Sequence, residues 1–307
     1  MWRSMGENQE ERRIPLGVRD LPSHELFART PPAELYHYTT LQGAYGIITS
    51  KQLWLTKIQH LNDVSELRHA IELFRETVKN WRGTITTDER SFIDRVAHQL
   101  GSFTETNICV ASFCEDGDLL SQWRGYGAGA TGIALGFSGA YLKTLSNRGF
   151  LNCWKCIYER RDHQIIIGEL VDMALCCFRM REDLPSDAAK EKFADNIVGY
   201  FNTTFLRVAP VLKDPNFREE QEWRIITTPQ KSTHDNFDVV FAGSRLLPIF
   251  RLEFPTKKED EPDVLGAIRI GPTANADLTS NALFTLLTKH GYTGCSIQPS
   301  LIPYRAS

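Results

Sequence analysis

The sequence predicts an α+β fold, because short strands that neighbour one another in the chain alternate with longer helical segments. Residues 35–40 and 53–56 are rich in aromatic and β-branched side chains, and residues 41–50 between them carry apolar side chains at helical spacing. Further strands are predicted at 107–114, 131–137, 154–159, 221–227, 246–254, 265–270 and 293–298. We therefore expect mixed, mostly antiparallel sheets with inserted helices.

The helical segments and the proline content of the N-terminus divide the chain. Apolar periodicity predicts helical insertions near residues 63–104 and 161–208, and a further helix near 277–289. Residues 1–33 contain four prolines and a charged run, and they are predicted to form an N-terminal extension. Residues 34–307 are then expected to form a single α+β domain.

Length, charge and cysteine content narrow the class of protein. The 307 residues can bury a large core, and a net charge of -3 gives no general reason to bind polyanions. No apolar run is long enough to span a bilayer, and residues 1–13 are too polar for a signal peptide. The seven scattered cysteines fit reduced thiols, and the single Cys-x-x-Cys pair lacks a second pair at zinc-site spacing. We expect a cytoplasmic protein with no membrane partner and no metal.

The first candidate site residue is His37, on the predicted strand Leu35–Thr40. Alternation along the strand places His37 on the face opposite Tyr36 and Tyr38. The helix that follows would favour an anion near the imidazole, because helix starts present free backbone N–H groups. A single histidine on a strand equally suits a structural role, and both interpretations stay open.

Asn62 and Asp63 form the second candidate, at the start of the first helical insertion. Asp63 with Glu66 three residues later is typical of a helix N-cap, and Thr86 with Glu89 repeats this pattern at the next helix start. Capping explains Asp63 without a ligand. A ligand-binding role for Asn62 and Asp63 is the alternative.

The third candidate is the glycine-rich segment 112–127. Trp123, Arg124 and Tyr126 lie beside glycines that would let the backbone approach a ligand closely. These side chains can stack a flat heterocycle, or the aromatics can fill the core under a tight loop. The glycines match neither a phosphate loop nor the Rossmann spacing.

The fourth candidate is the acidic strand near residues 221–227. Period-two alternation puts Glu220, Glu222 and Arg224 on one face, which is either a solvated edge or the floor of a polar cleft. In a cleft, Arg224 would keep a partly buried Glu222 ionised. A fixed carboxylate can stabilise the oxocarbenium-like sugar cation that forms when an N-glycosidic bond breaks.

The order of these motifs resembles that of the bacterial family catalogued as domain of unknown function 2971, over roughly residues 34–305. The motifs that carry the resemblance are His37-Tyr38-Thr39, Leu61-Asn62-Asp63 with Glu66, Ser112-Phe113, Gln122-Trp123, Tyr126, Phe217, Glu220-Gln221-Glu222-Trp223-Arg224, Ile270-Gly271-Pro272 and Ser300 to Arg305. The first motif in turn looks like the opening of the ADP-ribosyltransferase fold. Tyr38 stands where the poly-ADP-ribosylating branch usually has glycine.

The resemblance to ADP-ribosyltransferases implies NAD as the substrate. In that superfamily a histidine holds a ribose of NAD, an aromatic side chain packs on nicotinamide, and a late strand carries the catalytic glutamate. By motif these residues would be His37, Tyr126 and Glu222, with Glu220 completing a Glu-x-Glu pair. The residues expected to contact NAD are His37, Tyr38, Thr39, Trp123, Tyr126 and Arg224.

We therefore expect an ADP-ribosyltransferase-like enzyme, such as a toxin or an antiphage effector, that modifies a protein or a nucleic acid. The first alternative is a catalytically silent nucleotide-binding or protein-interaction module, in which Glu222 and Arg224 only pair with each other. The second is an NAD hydrolase, with water as the acceptor.

Overall fold

A computed structural model describes residues 17–61, 65–81, 83–101, 107–126, 131–242, 244–255 and 264–303. Over these residues the fold is α+β with a mostly antiparallel sheet, as the sequence predicted. The strands are β1 (Glu34–Thr40), β2 (Gln52–Lys57), β3 (Cys109–Cys114), β4 (Gly132–Ser138), β5 (Leu151–Lys155), β6 (Glu222–Thr227), β7 (Phe237–Ala242), β8 (Arg245–Glu253), β9 (Leu265–Ile270) and β10 (Ser296–Pro299). The helices are α1 (Leu41–Ser50), α2 (Ser65–Lys79), α3 (Thr87–Gly101), α4 (Leu120–Tyr126), α5 (Gly139–Thr144), α6 (Arg160–Arg179), α7 (Asp187–Val208) and α8 (Ala276–Lys289).

The strands form one sheet that splits beside β3. The order is β10-β9-β4-β1-β3-β2-β8-β7, with β6 on the other edge of β3 and β5 beyond it. β6 pairs with β3 over all of Val110–Cys114, whereas β1 pairs with β3 only at Cys114, and β2 only at Cys109 and Val110. β1 and β2 therefore share one edge of β3 without pairing with each other, and a gap opens between them.

Helices cover both faces of the sheet. On one face α1, α5 and α8 pack on apolar side chains such as Leu35, Phe113 and Ile268. On the other face α2, α3, α6 and α7 form a larger helical core, which reaches the sheet at Val110 and Ile226. These four helices correspond to the two predicted helical insertions. No helix within the described ranges is long and apolar enough to cross a membrane.

The described fold begins earlier than the predicted domain start at Glu34. Val18, Leu21 and Phe27 are buried in the helical core, although the sequence placed them in an extension. The backbone N–H and the hydroxyl of Ser23 both donate to Glu169 of α6, at 3.0 and 2.6 Å. The apolar side chains among the prolines hold this segment, so residues 17–33 belong to the packed structure.

The capping pattern predicted for the second helix of the first insertion is present at the start of α3. The Thr86 N–H donates to the Glu89 carboxylate at 2.7 Å, and the Glu89 N–H donates to the Thr86 hydroxyl at 3.2 Å. Two free N–H groups of the helix start are thereby bonded reciprocally. The equivalent pattern at Asp63 lies outside the described residues.

Two parts of the secondary structure differ from the prediction. The glycine-rich segment expected as a loop contains α4, in which Gln122 and Trp123 are buried on one side. The strand β7 was not predicted, because its apolar residues follow one another directly and do not alternate with polar residues. β7 pairs with β8 along its whole length, so the strand is defined by hydrogen bonds to its partner and not by its local sequence pattern.

We expect the stability of the protein to fall below pH 6.5 in part through His163. This ring has no exposed surface, its Nε2 lies 2.6 Å from the Ile157 carbonyl oxygen, and burial lowers its pKa from 6.5. The unfolded chain then binds more protons than the folded one, so the free energy of unfolding decreases as the pH drops. Urea titrations at pH 7 and pH 5 should show a smaller decrease for His163→Gln, and an equal decrease would assign the effect to other groups.

Candidate functional site

A cleft of about 760 Å³ occupies the split between β1 and β2. Its first wall is formed by β1 and α4, which contribute His37 and Tyr126. Its second wall is formed by β2 and the start of β8, which contribute Trp54 and Arg245. The floor is formed by β3, β6 and the residues just before β6. A concave site of this volume can hold a nucleotide-sized ligand.

The His37 side chain replaces a missing strand partner. Ser112 lies on β3 between the short stretches that pair with β1 and β2, and its carbonyl oxygen is 2.9 Å from His37 Nδ1. Because a carbonyl only accepts, Nδ1 carries the proton and Nε2 remains an acceptor. Burial lowers the pKa of His37, which keeps the ring neutral at pH 7. His37 therefore links β1 to β3 beside the split, and its Nε2 atom can still accept a hydrogen bond from a ligand.

Tyr38 and Trp123 pack against each other beside the cleft, with ring centroids 4.7 Å apart. The Tyr38 hydroxyl donates to the Asp116 carbonyl and accepts from the Leu119 N–H, both at 2.9 Å. The Trp123 indole N–H donates to the Asp118 carboxylate at 2.8 Å. These bonds occupy the polar atoms of both aromatic side chains. Tyr38 lines the cleft, whereas Trp123 does not.

Three partly exposed aromatic side chains line the cleft. Trp54, Tyr126 and Phe217 are 45%, 40% and 39% exposed, and they come from both walls and the floor. Desolvation, and after it the negative charges of Glu222 and Glu220, raise the pKa of Tyr126 to about 12. Tyr126 thus stays protonated, and its ring lies close to two carboxylates.

Glu222 forms a buried charge cluster with Arg224 and Lys213, which are 2%, 3% and 5% exposed. Arg224 Nε donates to Glu222 Oε1 at 2.8 Å and Arg224 Nη2 donates to Oε2 at 3.0 Å, while Lys213 Nζ also donates to Oε2. Burial alone would raise the pKa of Glu222, but Arg224 and Lys213 outweigh it and hold this pKa well below its usual value. Glu222 is therefore ionised, and both of its oxygens are bonded to protein.

Glu220 is the more accessible carboxylate of the pair. β6 begins at Glu222, and Gln221 adopts a left-handed backbone with φ 42°, so the predicted strand alternation does not extend to Glu220. Lys213 Nζ donates to Glu220 at 2.5 Å. The Glu220 side chain is 19% exposed, against 3% for Glu222. A ligand in the cleft can reach Glu220, whereas Glu222 lies beneath it.

The sequence did not assign Lys213 or Gln122 a role in the site, although Gln122 stands in one of the motifs, and the two omissions have different causes. Lys213 follows α7 in the run Lys213-Asp214-Pro215, which has the composition of a solvated turn, and only the fold brings it to the carboxylates. Gln122 precedes Tyr126 by four residues, a spacing that places two side chains on one helix face. Recognising α4 as a helix would have identified Gln122.

The structure brings together six of the residues predicted to form the site and leaves others apart. The predicted residues that line the cleft are His37, Tyr38, Tyr126, Glu220, Glu222 and Arg224. Thr39 and Trp123 are not part of the lining, and Asn62 and Asp63 lie outside the described residues.

Comparison with known proteins finds a similarity to one family over part of this site. No curated protein and no solved structure matches the chain. The segment 122–225, from Gln122 of α4 to Ile225 of β6, contains the α4 part of the first wall, and it contains the part of the floor formed by β6 and the residues just before β6. Over this segment the chain matches the family described as protein of unknown function (DUF2971), the family that the motifs indicated.

Proposed function

We propose that the protein is an NAD-using, ADP-ribosyltransferase-like enzyme, and that the fold around the split is its catalytic core. The observation that carries the proposal is that His37, Tyr126 and the two glutamates Glu220 and Glu222 line one cleft. These residues lie far apart in sequence. A hydrogen-bond acceptor, an aromatic ring and a fixed carboxylate are what recognition and cleavage of a nucleotide–sugar bond require.

The charges near Tyr126 favour the oxidised form of the dinucleotide. The nicotinamide ring of NAD is a cation, and an aromatic face together with nearby carboxylates attracts cations. Glu219 and Glu220 line the cleft with Tyr126, and the charge of Glu220 influences the Tyr126 hydroxyl. The cleft would therefore bind NAD more tightly than its reduced form, whose ring is neutral.

In the proposed reaction the bond between nicotinamide and the ribose breaks. Its electron pair moves to the ring nitrogen, which becomes neutral, and positive charge develops on the ribose. Glu220 would stabilise that charge from the accessible side of the cluster, while Lys213, which Glu222 also binds, holds Glu220 in place. A nucleophile on the acceptor then bonds to the ribose carbon and loses its proton.

His37 would hold the ribose. Its neutral ring leaves Nε2 free to accept a hydrogen bond from a sugar hydroxyl, because Nδ1 is already bonded to Ser112. The acceptor would be a protein or a nucleic acid, as suits a toxin or an antiphage effector. Water as the acceptor would make the protein an NAD hydrolase at the same site.

One observation favours a second candidate function, a nucleotide-binding module without catalysis. Both oxygens of Glu222 are bonded to Arg224 and Lys213. A carboxylate held in this way stabilises the fold around the cleft without acting on a ligand. The two candidates differ in whether bound NAD is cleaved.

The test is release of nicotinamide from NAD by the purified protein, with NAD labelled on the adenosine to follow transfer. We expect nicotinamide release in the wild type and a roughly tenfold higher KM in Tyr126→Ala, because stacking on an aromatic ring contributes about 1–3 kcal/mol. Tyr200→Ala, at an exposed tyrosine of α7 away from the cleft, is the matched control and should behave as wild type.

The possible outcomes separate the candidates. Label on a macromolecule supports transfer, and free ADP-ribose supports hydrolysis. Binding of NAD without release of nicotinamide supports the silent module. If the folded protein neither binds NAD nor releases nicotinamide from it, the NAD proposal is overturned.

A further inference from the structure

We propose that α4 recognises the carboxamide edge of the nicotinamide ring, with Gln122 hydrogen-bonding the amide while Tyr126 stacks on the ring and Gly125 leaves room for it. This inference rests on the proposed NAD site and assigns its nicotinamide end. Gln122, Gly125 and Tyr126 all line the cleft and lie within one and a half turns of the same helix.

The first observation is the state of the Gln122 side chain. It is only 8% exposed, it lines the cleft, and its amide makes no hydrogen bond within the described part of the chain. The Gln122 amide is not among the described side-chain atoms that are buried without a partner, so it is open to the cleft and available to a hydrogen-bonding ligand there. Gln122 therefore fits a position whose partner is supplied by a ligand in the cleft.

The second observation is the spacing of Gln122 and Tyr126. Residues four apart on a helix lie on the same face, with Cβ atoms about 5–6 Å apart. A flat ring stacked on Tyr126 would thus present its edge toward Gln122. The glutamine amide offers one donor and one acceptor side by side, which complements the donor and acceptor of a carboxamide.

The third observation concerns Gly125, which lies between them. A Cβ atom built at Gly125 would have no heavy atom within 4 Å, whereas one at Gly117 would meet the Tyr36 ring at 2.6 Å. Packing thus explains glycine at 117 but not at 125. Glycine inside a helix is less stable than alanine, because it loses more backbone freedom on folding. Gly125 lines the cleft, so the open space beside it allows a ligand to approach the helix backbone closely.

Two variants test the inference without relying on catalysis. Gly125→Val fills the open space, and Gln122→Met removes the amide at nearly constant volume. Gly199→Val is the matched control, because Gly199 is a helical glycine with equally open surroundings on α7, outside the cleft lining. Circular dichroism should show all three variants folded like the wild type.

The readout is calorimetric titration with nicotinamide, with 3-acetylpyridine and with ADP-ribose. We expect Gly125→Val and Gln122→Met to weaken nicotinamide binding at least tenfold, while ADP-ribose binding changes less than twofold. The wild type should prefer nicotinamide over 3-acetylpyridine, which has the same shape but no amide donor, and Gln122→Met should lose this preference. A structural role for Gln122 would not change the ratio between the two ligands.

Failure of the inference about α4 and failure of the proposed function give different results. Unchanged nicotinamide affinity in both variants, with ADP-ribose still bound, would overturn the role of α4 and leave the proposed function standing. If the wild type binds neither nicotinamide nor ADP-ribose, the proposed function fails, and adenosine becomes the probe because its N6 and N7 atoms offer the same donor and acceptor pair. If adenosine binds and its binding depends on Gln122, α4 is still the helix that recognises the ligand. Any other result would overturn the role of α4.

Discussion

Replacing Glu222 with glutamine is expected to lower the free energy of unfolding by about 3–5 kcal/mol, because it leaves Arg224 and Lys213 buried without their shared counter-ion. Both cations are at most 5% exposed, so water cannot substitute for the lost carboxylate. The measurement is urea unfolding at pH 7. Asp238→Asn, which breaks an ion pair with Arg251 that is about two-fifths exposed, should cost no more than about 1 kcal/mol.

The acid dependence of stability gives an independent check on Glu222. Its pKa is lower in the folded protein than in the unfolded chain, so its contribution is present above the unfolded value of 4.5 and is lost as the pH falls further. Glu222→Gln should remove this part of the acid-side decrease. A variant with wild-type stability and abolished nicotinamide release would instead assign Glu222 a direct role in catalysis.

Replacing Glu220 with glutamine is expected to lower the rate of nicotinamide release by on the order of a hundredfold or more, while the fold is retained. Glu220 is the carboxylate that a ligand can reach, and such a charge contributes several kcal/mol to the transition state alone. Glutamine keeps an oxygen for Lys213, whose charge is still balanced by Glu222. We expect kcat to fall with little change in KM for NAD.

The matched control for Glu220 is Glu191→Gln, which removes a carboxylate that is 64% exposed and paired with Arg95 on the helical side of the protein. This variant should keep wild-type kcat and KM. Equal rates for Glu220→Gln and the wild type would transfer the catalytic assignment away from Glu220. A large loss of stability in Glu220→Gln would show that the Lys213 pair is structural.

The amino-acid pattern was sufficient for those parts of the fold that depend on local chemistry. The unit β1-α1-β2 was predicted, because β-branched and aromatic runs flank a helical period, and the start of α3 was predicted from Thr86 and Glu89. The burial of Val18 and Leu21 was not predicted. These residues are held by helices more than a hundred positions away, and no nearby periodicity reports such contacts.

The candidate site was predictable only where a motif carries its own chemistry. His37 and the Glu-x-Glu-Trp-Arg run drew attention through residue type, but the sequence could not rank Glu220 against Glu222. That ranking depends on the left-handed backbone at Gln221, which turns Glu220 out of the strand, and on Lys213. The contacts of Lys213 are a tertiary effect, because this residue reaches both carboxylates only in the folded chain.

The split in the sheet links ligand binding to the stability of the whole protein. An unbroken sheet would join β1 to β2 by backbone hydrogen bonds, but here the gap is bridged chiefly through β3 and the bond from His37 to Ser112. A ligand that touches both walls would act as a cross-link that exists only in the folded state. Its binding energy then adds directly to the folding free energy, by about 2.7 kcal/mol at a hundred times Kd. The protein without ligand would therefore be its least stable form, and cellular ligand levels would govern how long the folded chain persists.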